Sequence, residues 1–154
     1  GFTFEFELFL KELSAGQVLL DTRDASGRGL LLKTSNRFSV SLTLSDGVHE
    51  STWDSDPGTH PGTLKVNHWH HIAVTVDGGP KIITWIVDGV LNDGGAARQF
   101  GWSRFRPEIR DVNGKPEAPL AAKIWGELRN LRVYTRALRT SEVVGNYRSV
   151  RRSD

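Results

Sequence analysis

Apolar and polar residues alternate with a period of two along most of the chain. The pattern is clearest near the start, where Phe4, Phe6 and Leu8 alternate with Glu5 and Glu7. Successive side chains of a β-strand point to opposite faces, so this alternation predicts a strand with one buried face. Similar short segments recur, separated by Asp-Gly pairs and other turn-forming residues. The predicted strands cover residues 2–10, 17–23, 29–34, 38–44, 70–76, 83–87 and 131–134.

Only the segment from Thr140 to Arg148 has a helical pattern. Thr140 is predicted to cap this helix, and Glu142 suits the positive end of the helix dipole. Short strands spaced by ~8–12 residues and followed by one late helix are typical of an all-β sandwich or barrel. The length of 154 residues is that of a single domain. We predict that residues 1–148 form this domain and that 149–154 are a linker or tail.

The composition excludes several kinds of site and partner. The chain has no cysteine, which excludes thiol catalysis, cysteine-type zinc sites and disulfides. No apolar run reaches the ~18–20 residues that a membrane span needs, so no membrane partner is predicted. The sequence contains no recognisable nucleic-acid-binding module, so nucleic acid is not a predicted partner either.

Charge is distributed unevenly along the chain. Residues 1–97 carry a formal charge of −5 and residues 98–154 a charge of +7, which together give the net +2 of the whole chain. A basic half favours an anionic partner. However, the two halves can also interleave in space and neutralise each other. We expect this second arrangement.

Three segments carry a resemblance to a known family. They are WHHIAVTVDG at 69–78, VDGV at 87–90 and GELRNLRVY at 126–134. In these segments the sequence resembles the laminin G-like domains of the concanavalin A-like superfamily, and the resemblance extends over nearly the whole chain. It implies an all-β, two-sheet antiparallel jelly-roll sandwich with a short C-terminal helix.

The resemblance also implies a function. Similar domains are appended to bacterial secreted enzymes that degrade polysaccharides. We therefore expect a non-catalytic carbohydrate-binding module of an exported bacterial protein, located in the periplasm, at the cell surface or outside the cell. Its partners would be a polysaccharide or oligosaccharide and a neighbouring catalytic domain. The alternative is a structural module that packs against a neighbouring domain and binds no sugar.

A third hypothesis is a small glycosidase that uses Glu5 and Glu7. The two residues share one face of a strand, and glycosidases need two carboxylates ~5–5.5 Å or ~6.5–9.5 Å apart. The glucanases of the superfamily carry Glu-x-Asp-x-x-Glu on one strand, and that run is absent here. We therefore interpret Glu5 and Glu7 as part of a solvated strand face.

Aromatic and basic residues near the longer loops are the candidates for glycan binding. Sugar rings stack on aromatic side chains, and a guanidinium group matches a carboxylate or sulfate in a bidentate manner. An anionic sugar is therefore one predicted ligand class. The predicted binding residues are Trp53, Arg98, Trp102, Arg104, Arg106 and Asn113. Trp69 and Trp85, which lie within strand patterns, are assigned to core packing.

Two clusters contain residue types that ligate metals. Asp54 and Asp56 resemble the start of a calcium loop, although the Gly and Glu that an EF-hand needs are missing. A looser calcium site and a simple Asx-type turn both remain open for this pair. His70 and His71 point to opposite faces of their strand and cannot chelate one ion together. Together with His68, they are interpreted as structural.

Overall fold

The computed structural model describes residues 1–55, 63–92 and 103–151. These ranges contain eleven strands and one helix. In chain order they are β1 (Phe2–Leu10), β2 (Val18–Asp21), β3 (Arg28–Thr34), β4 (Val40–Asp46), β5 (Glu50–Asp54), β6 (Trp69–Asp77), β7 (Ile82–Val87), β8 (Val90–Leu91), β9 (Ser103–Arg104), β10 (Leu120–Lys123), β11 (Gly126–Tyr134) and α1 (Thr140–Arg151).

The strands form two antiparallel sheets. The six-stranded sheet has the order β11-β1-β6-β7-β8, with β9 also paired to β7, and the five-stranded sheet has the order β10-β2-β3-β4-β5. The predicted two-sheet jelly-roll sandwich with a short C-terminal helix is confirmed. The strands β5 and β10 were not predicted, and they form the two edges of the five-stranded sheet.

The core lies between the sheets and follows the alternation in the sequence. Phe6 and Leu8 of β1 are buried against Ile72 of β6, and Leu42 of β4 faces them from the other sheet. Each fully buried side chain of this kind contributes about 1.5–3 kcal/mol to stability. This apolar layer fixes which face of each strand points outward, and therefore where the polar groups described below can lie.

The helix α1 covers the outer face of the six-stranded sheet. Val143 is fully buried there with Ala73, Ile86 and Leu138. The helix begins differently from the prediction, because the carbonyl of Arg139 accepts the first helical hydrogen bonds and Arg139 is therefore the N-cap. It also ends later than predicted, at Arg151. No helix in the described ranges is long and apolar enough to cross a membrane.

Candidate functional site

Three of the predicted binding residues meet at one groove. Trp53 lies on β5, an edge strand of the five-stranded sheet, while Arg104 lies on β9, which is paired to β7 of the other sheet. Arg106 follows two residues later, and its backbone N–H donates to Ser51 Oγ on β5 at 3.1 Å. This hydrogen bond ties the segment after β9 to the edge of β5. The resulting groove of about 410 Å³ is lined by Ser51, Thr52, Trp53, Arg104, Phe105, Arg106 and Pro107.

The groove combines an indole ring with two exposed cations. Trp53 is half-buried because it pairs with Leu42 and packs against the core, whereas Arg104 and Arg106 are exposed. Phe105 lies between the two arginines and is buried in the core, which anchors the segment. A rigid aromatic surface beside two guanidinium groups can hold a flat ring that carries an anionic group.

The other predicted residues are not brought to this groove. Arg98, Trp102 and Asp56 lie outside the described residues. Asn113 is not one of the groove's lining residues, and its N–H donates to the carboxylate of its neighbour Asp111 at 2.9 Å. Asp54 ends β5 opposite Ser41. Within the described ranges, no group of three or more His, Asp or Glu side chains is arranged to hold a metal ion.

The interpretation of Glu5 and Glu7 as a solvated strand face is wrong. Both lie on the outer face of β1, but they are only 1% and 6% exposed. Glu5 accepts hydrogen bonds from His71 Nε2 and Asn146 Nδ2, each at 2.9 Å. Asn146 belongs to α1, so the helix covers this carboxylate and a substrate has no access to it. Glu7 accepts from Arg129 Nε at 2.7 Å and is also bonded by Asn130.

Ion pairs join the acidic and basic parts of the chain. Arg129 and Arg132 lie on β11, next to β1, and pair with Glu7 and Glu5. A β-bulge between Glu5 and Glu7 alters the register there, and Asn130 has a φ of 54°. The expected interleaving of the two charged halves is therefore confirmed at this pair of strands.

Two carboxylates, the buried Glu5 and the half-buried Asp88, have lowered pKa values. Burial by itself raises the pKa of Glu5, but hydrogen bonds from His71 and Asn146 outweigh it and bring the pKa below its usual 4.5. The pKa of Asp88 is likewise raised by burial and lowered more strongly by hydrogen bonds from His70 and from the backbone of His71. His70 Nε2 also accepts the N–H of Lys65 at 2.9 Å. The structural interpretation of His70 and His71 agrees with these contacts.

Trp69 is not a core residue, whereas Trp85 is, with an exposed fraction of 2%. Trp69 is half-buried on the outer face, where the Arg129 guanidinium lies 4.1 Å from its ring centroid. Beside it is a cavity of about 260 Å³ lined by Glu7, His68, Trp69, His71, Asp88, Arg129, Tyr147, Val150 and Arg151. The alternation in the sequence is a signal that could have found this arrangement. Because β1 and β6 are paired, it puts Trp69 and His71 on the same face of the sheet as Glu7.

Acid is expected to destabilise the fold between pH 4.5 and pH 2. Backbone N–H groups of His49 and Val48 lower the pKa of Asp46 to about 2, and the Arg136 side chain with the N–H of Arg139 lowers that of Glu142 to about 2. The unfolded chain binds protons at these carboxylates first, so stability present above their ordinary pKa values is lost as the pH falls.

Urea unfolding measured from pH 7 to pH 2 tests this expectation. Glu142→Gln should be less stable than the wild type at pH 7 and should show a shallower loss below pH 4.5. Arg136→Gln should reproduce part of that change, because it removes the largest cause of the lowered pKa. An identical pH profile for the wild type and Glu142→Gln would contradict the assignment.

Residues 1–144 match the model of one protein family, which is described as the concanavalin A-like lectin/glucanases superfamily. The chain belongs to this superfamily. No curated protein matches this superfamily member in sequence.

Solved structures similar to this superfamily member share its fold. The binding domain of Paraclostridial mosquitocidal protein 1 has a TM-score of 0.69 at 18% identity, over 97% of this chain and 37% of that one. The botulinum neurotoxin type G receptor-binding domain has a TM-score of 0.67 at 13% identity, over 97% of this chain and 38% of that one. The CBM40 of the Ruminococcus gnavus IT-sialidase, bound to α2,3-sialyllactose, has a TM-score of 0.66 at 16% identity, over 95% of this chain and 81% of that one. The chain thus spans less than two-fifths of the two toxin domains.

Proposed function

We propose that this chain is a non-catalytic glycan-binding module, with its site at the groove of Trp53, Arg104 and Arg106. The observation that carries the proposal is that Trp53, from one sheet, meets Arg104, from the other sheet, and Arg106, which follows it. The fold is also that of a module bound to α2,3-sialyllactose and of two toxin binding domains. Coverage of Glu5 by α1 favours a binding role over a hydrolytic one.

The chemistry of the groove favours an anionic sugar. The C–H groups of a pyranose ring pack against the indole of Trp53, and Arg104 and Arg106 donate to a carboxylate or sulfate on the sugar. Hydrogen bonds to charged groups contribute about 1.5–3 kcal/mol each. One site of this kind corresponds to a dissociation constant in the millimolar to micromolar range, about −4 to −8 kcal/mol.

The setting of the module is part of the proposal. Family resemblance supports an exported bacterial protein that degrades polysaccharides, with a catalytic domain beside this one. The location would then be periplasmic, cell-surface or extracellular, where the module holds the enzyme on its substrate.

Affinity electrophoresis through gels containing uronic or sulfated polysaccharides tests the proposal. The double variant Arg104→Ala/Arg106→Ala should bind at least tenfold more weakly, since 1.4 kcal/mol is a factor of ten. The matched control is Arg139→Ala/Arg148→Ala, which removes the same charge from two exposed residues at and within α1. The control should bind as the wild type does.

Two results would overturn the proposed site. Equal loss in both double variants would mean that net charge alone causes the retardation. No retardation of the wild-type chain by any acidic polymer would remove the basis for an anionic ligand and favour a module that packs against a neighbouring domain.

A further inference from the structure

Trp125 is the most exposed of the tryptophans that the structure describes. Its exposed fraction is 65%, whereas Trp53 and Trp69 are half-buried and Trp85 is buried. The residue lies between β10 and β11, where the chain crosses from the five-stranded sheet to the six-stranded one. A large apolar ring kept in water at this position contributes little to the core and is open to a ligand.

The backbone of Trp125 is held rigidly on both sides. Its N–H donates to Gln17 Oε1 at 2.6 Å, and its carbonyl accepts the N–H of Lys11 at 2.9 Å. The Gln17 side chain is itself fixed, because its Nε2 donates to the carbonyl of Glu12 at 2.8 Å. The next residue, Gly126, lies so close to β1 that a Cβ would overlap the carbonyl oxygen of Phe9. The ring is therefore presented from a preorganised base, which lowers the entropic cost of binding.

The groove beside Trp125 carries no net charge, whereas the groove of Trp53, Arg104 and Arg106 is basic. It has a volume of about 550 Å³, and Glu12, Ser14, Lys123 and Ile124 line it together with the indole. The carboxylate of Glu12 and the ammonium of Lys123 cancel in charge. Hydrogen-bonding groups in the same groove as an aromatic ring, with no net charge, suit the hydroxyl groups of a neutral sugar.

We propose that Trp125 and this groove form a second glycan site, which binds a pyranose ring of a neutral polysaccharide. The ring would pack on the indole, and Glu12 and Lys123 would bond its hydroxyl groups. The inference takes its ligand class from the proposed function but does not need the first groove to bind anything.

The two sites lie at opposite edges of the five-stranded sheet. Trp53 is on β5 and Trp125 directly follows β10 and Ile124, and β5 and β10 are the two edge strands. One module can thus contact two different polysaccharides, or an anionic and a neutral stretch of one mixed polymer, at the same time. Such double contact raises the apparent affinity for a polymer far above that for a short oligosaccharide.

The test uses affinity gels containing a soluble neutral glucan, mannan, xylan or galactan. We expect at least one of these polymers to retard the chain, Trp125→Ala to bind it at least tenfold more weakly, and Trp125→Phe to retain part of the binding. Phe38→Ala, which removes another exposed aromatic ring (56%), is the control and should bind normally. Arg104→Ala/Arg106→Ala should also bind neutral polymers normally.

The outcomes separate this proposal from the first one. Retardation by acidic polymers alone, unaffected by Trp125→Ala, would overturn the Trp125 site and leave the first groove standing. Neutral binding lost in Trp125→Ala but not in the arginine variant would support the Trp125 site even if the first groove bound nothing. No neutral binding, with self-association lost in Trp125→Ala by sedimentation, would identify the residue as a protein contact and overturn the proposal.

Discussion

Replacing Glu5 with alanine is expected to lower the free energy of unfolding by about 2–6 kcal/mol, because two donors lose their acceptor and each buried donor left unsatisfied costs about 1–3 kcal/mol. The carboxylate is 1% exposed and bonds both His71 and Asn146. His71 Nδ1 is already buried without a hydrogen-bond partner, so the substitution leaves both ring nitrogens of His71 unpaired. The measurement is urea denaturation at pH 7.

The control for this variant is Glu117→Ala, at an exposed glutamate in the segment before β10. This variant should change the free energy of unfolding by no more than about 0.5 kcal/mol, as is usual for surface positions. Glu5→Gln should lie between the two, because an amide keeps one acceptor but loses the charge. A loss below about 1 kcal/mol for Glu5→Ala, the usual size of an ordinary substitution, would mean that the pairing beneath α1 is not needed for stability.

Replacing Gly126 with alanine is expected to destabilise the fold by about 1–3 kcal/mol. The new Cβ would overlap the carbonyl oxygen of Phe9 and press on Leu10, and both are backbone contacts of β1 that cannot rotate away. The start of β11 must then move, which also shifts Trp125. Urea denaturation gives the loss, and a change in tryptophan emission would accompany it.

Gly145→Ala is the matched control, with an opposite expected sign. Gly145 lies in α1, and no atom outside its own helix backbone comes within 4 Å of the position that an alanine Cβ would take. Alanine favours a helix over glycine by about 0.8–1.0 kcal/mol, so this variant should be more stable than the wild type. Destabilisation by both alanines would show that close approach to β1 is not the cause at Gly126.

Much of the fold could be predicted because the alternation in β1, β4, β6 and β7 reports directly on the buried layer. The alternation does not indicate which other element covers the outer face of a strand. The pattern therefore predicted a solvated Glu5, although α1 lies over it. The core assignment of Trp69 failed for a related reason, since strand membership alone does not decide which face an aromatic ring occupies.

The candidate site was predictable in part. Residue type and position near the longer loops selected Trp53, Arg104 and Arg106; Trp53 is far in sequence from the two arginines and meets them only because the segment after β9 is bonded to the edge of β5. Trp125 received no role from the sequence, because it lies before the last predicted strand and outside its alternating pattern. Its significance comes from exposure and from the Gln17 hydrogen bond, which links residues 108 positions apart.

The pairing of β1 with β11 has a consequence for synthesis on the ribosome. Thr3 lies opposite Tyr134, and Leu138 donates its N–H to Thr3 Oγ1. The strand β1 is translated before β6 and β11, and it has only β6 as a neighbour until β11 has emerged. A nascent chain stalled before residue 126 would thus expose one long edge of β1 to other chains. Folding of this domain is expected to be completed late in translation, when its most distant contacts close.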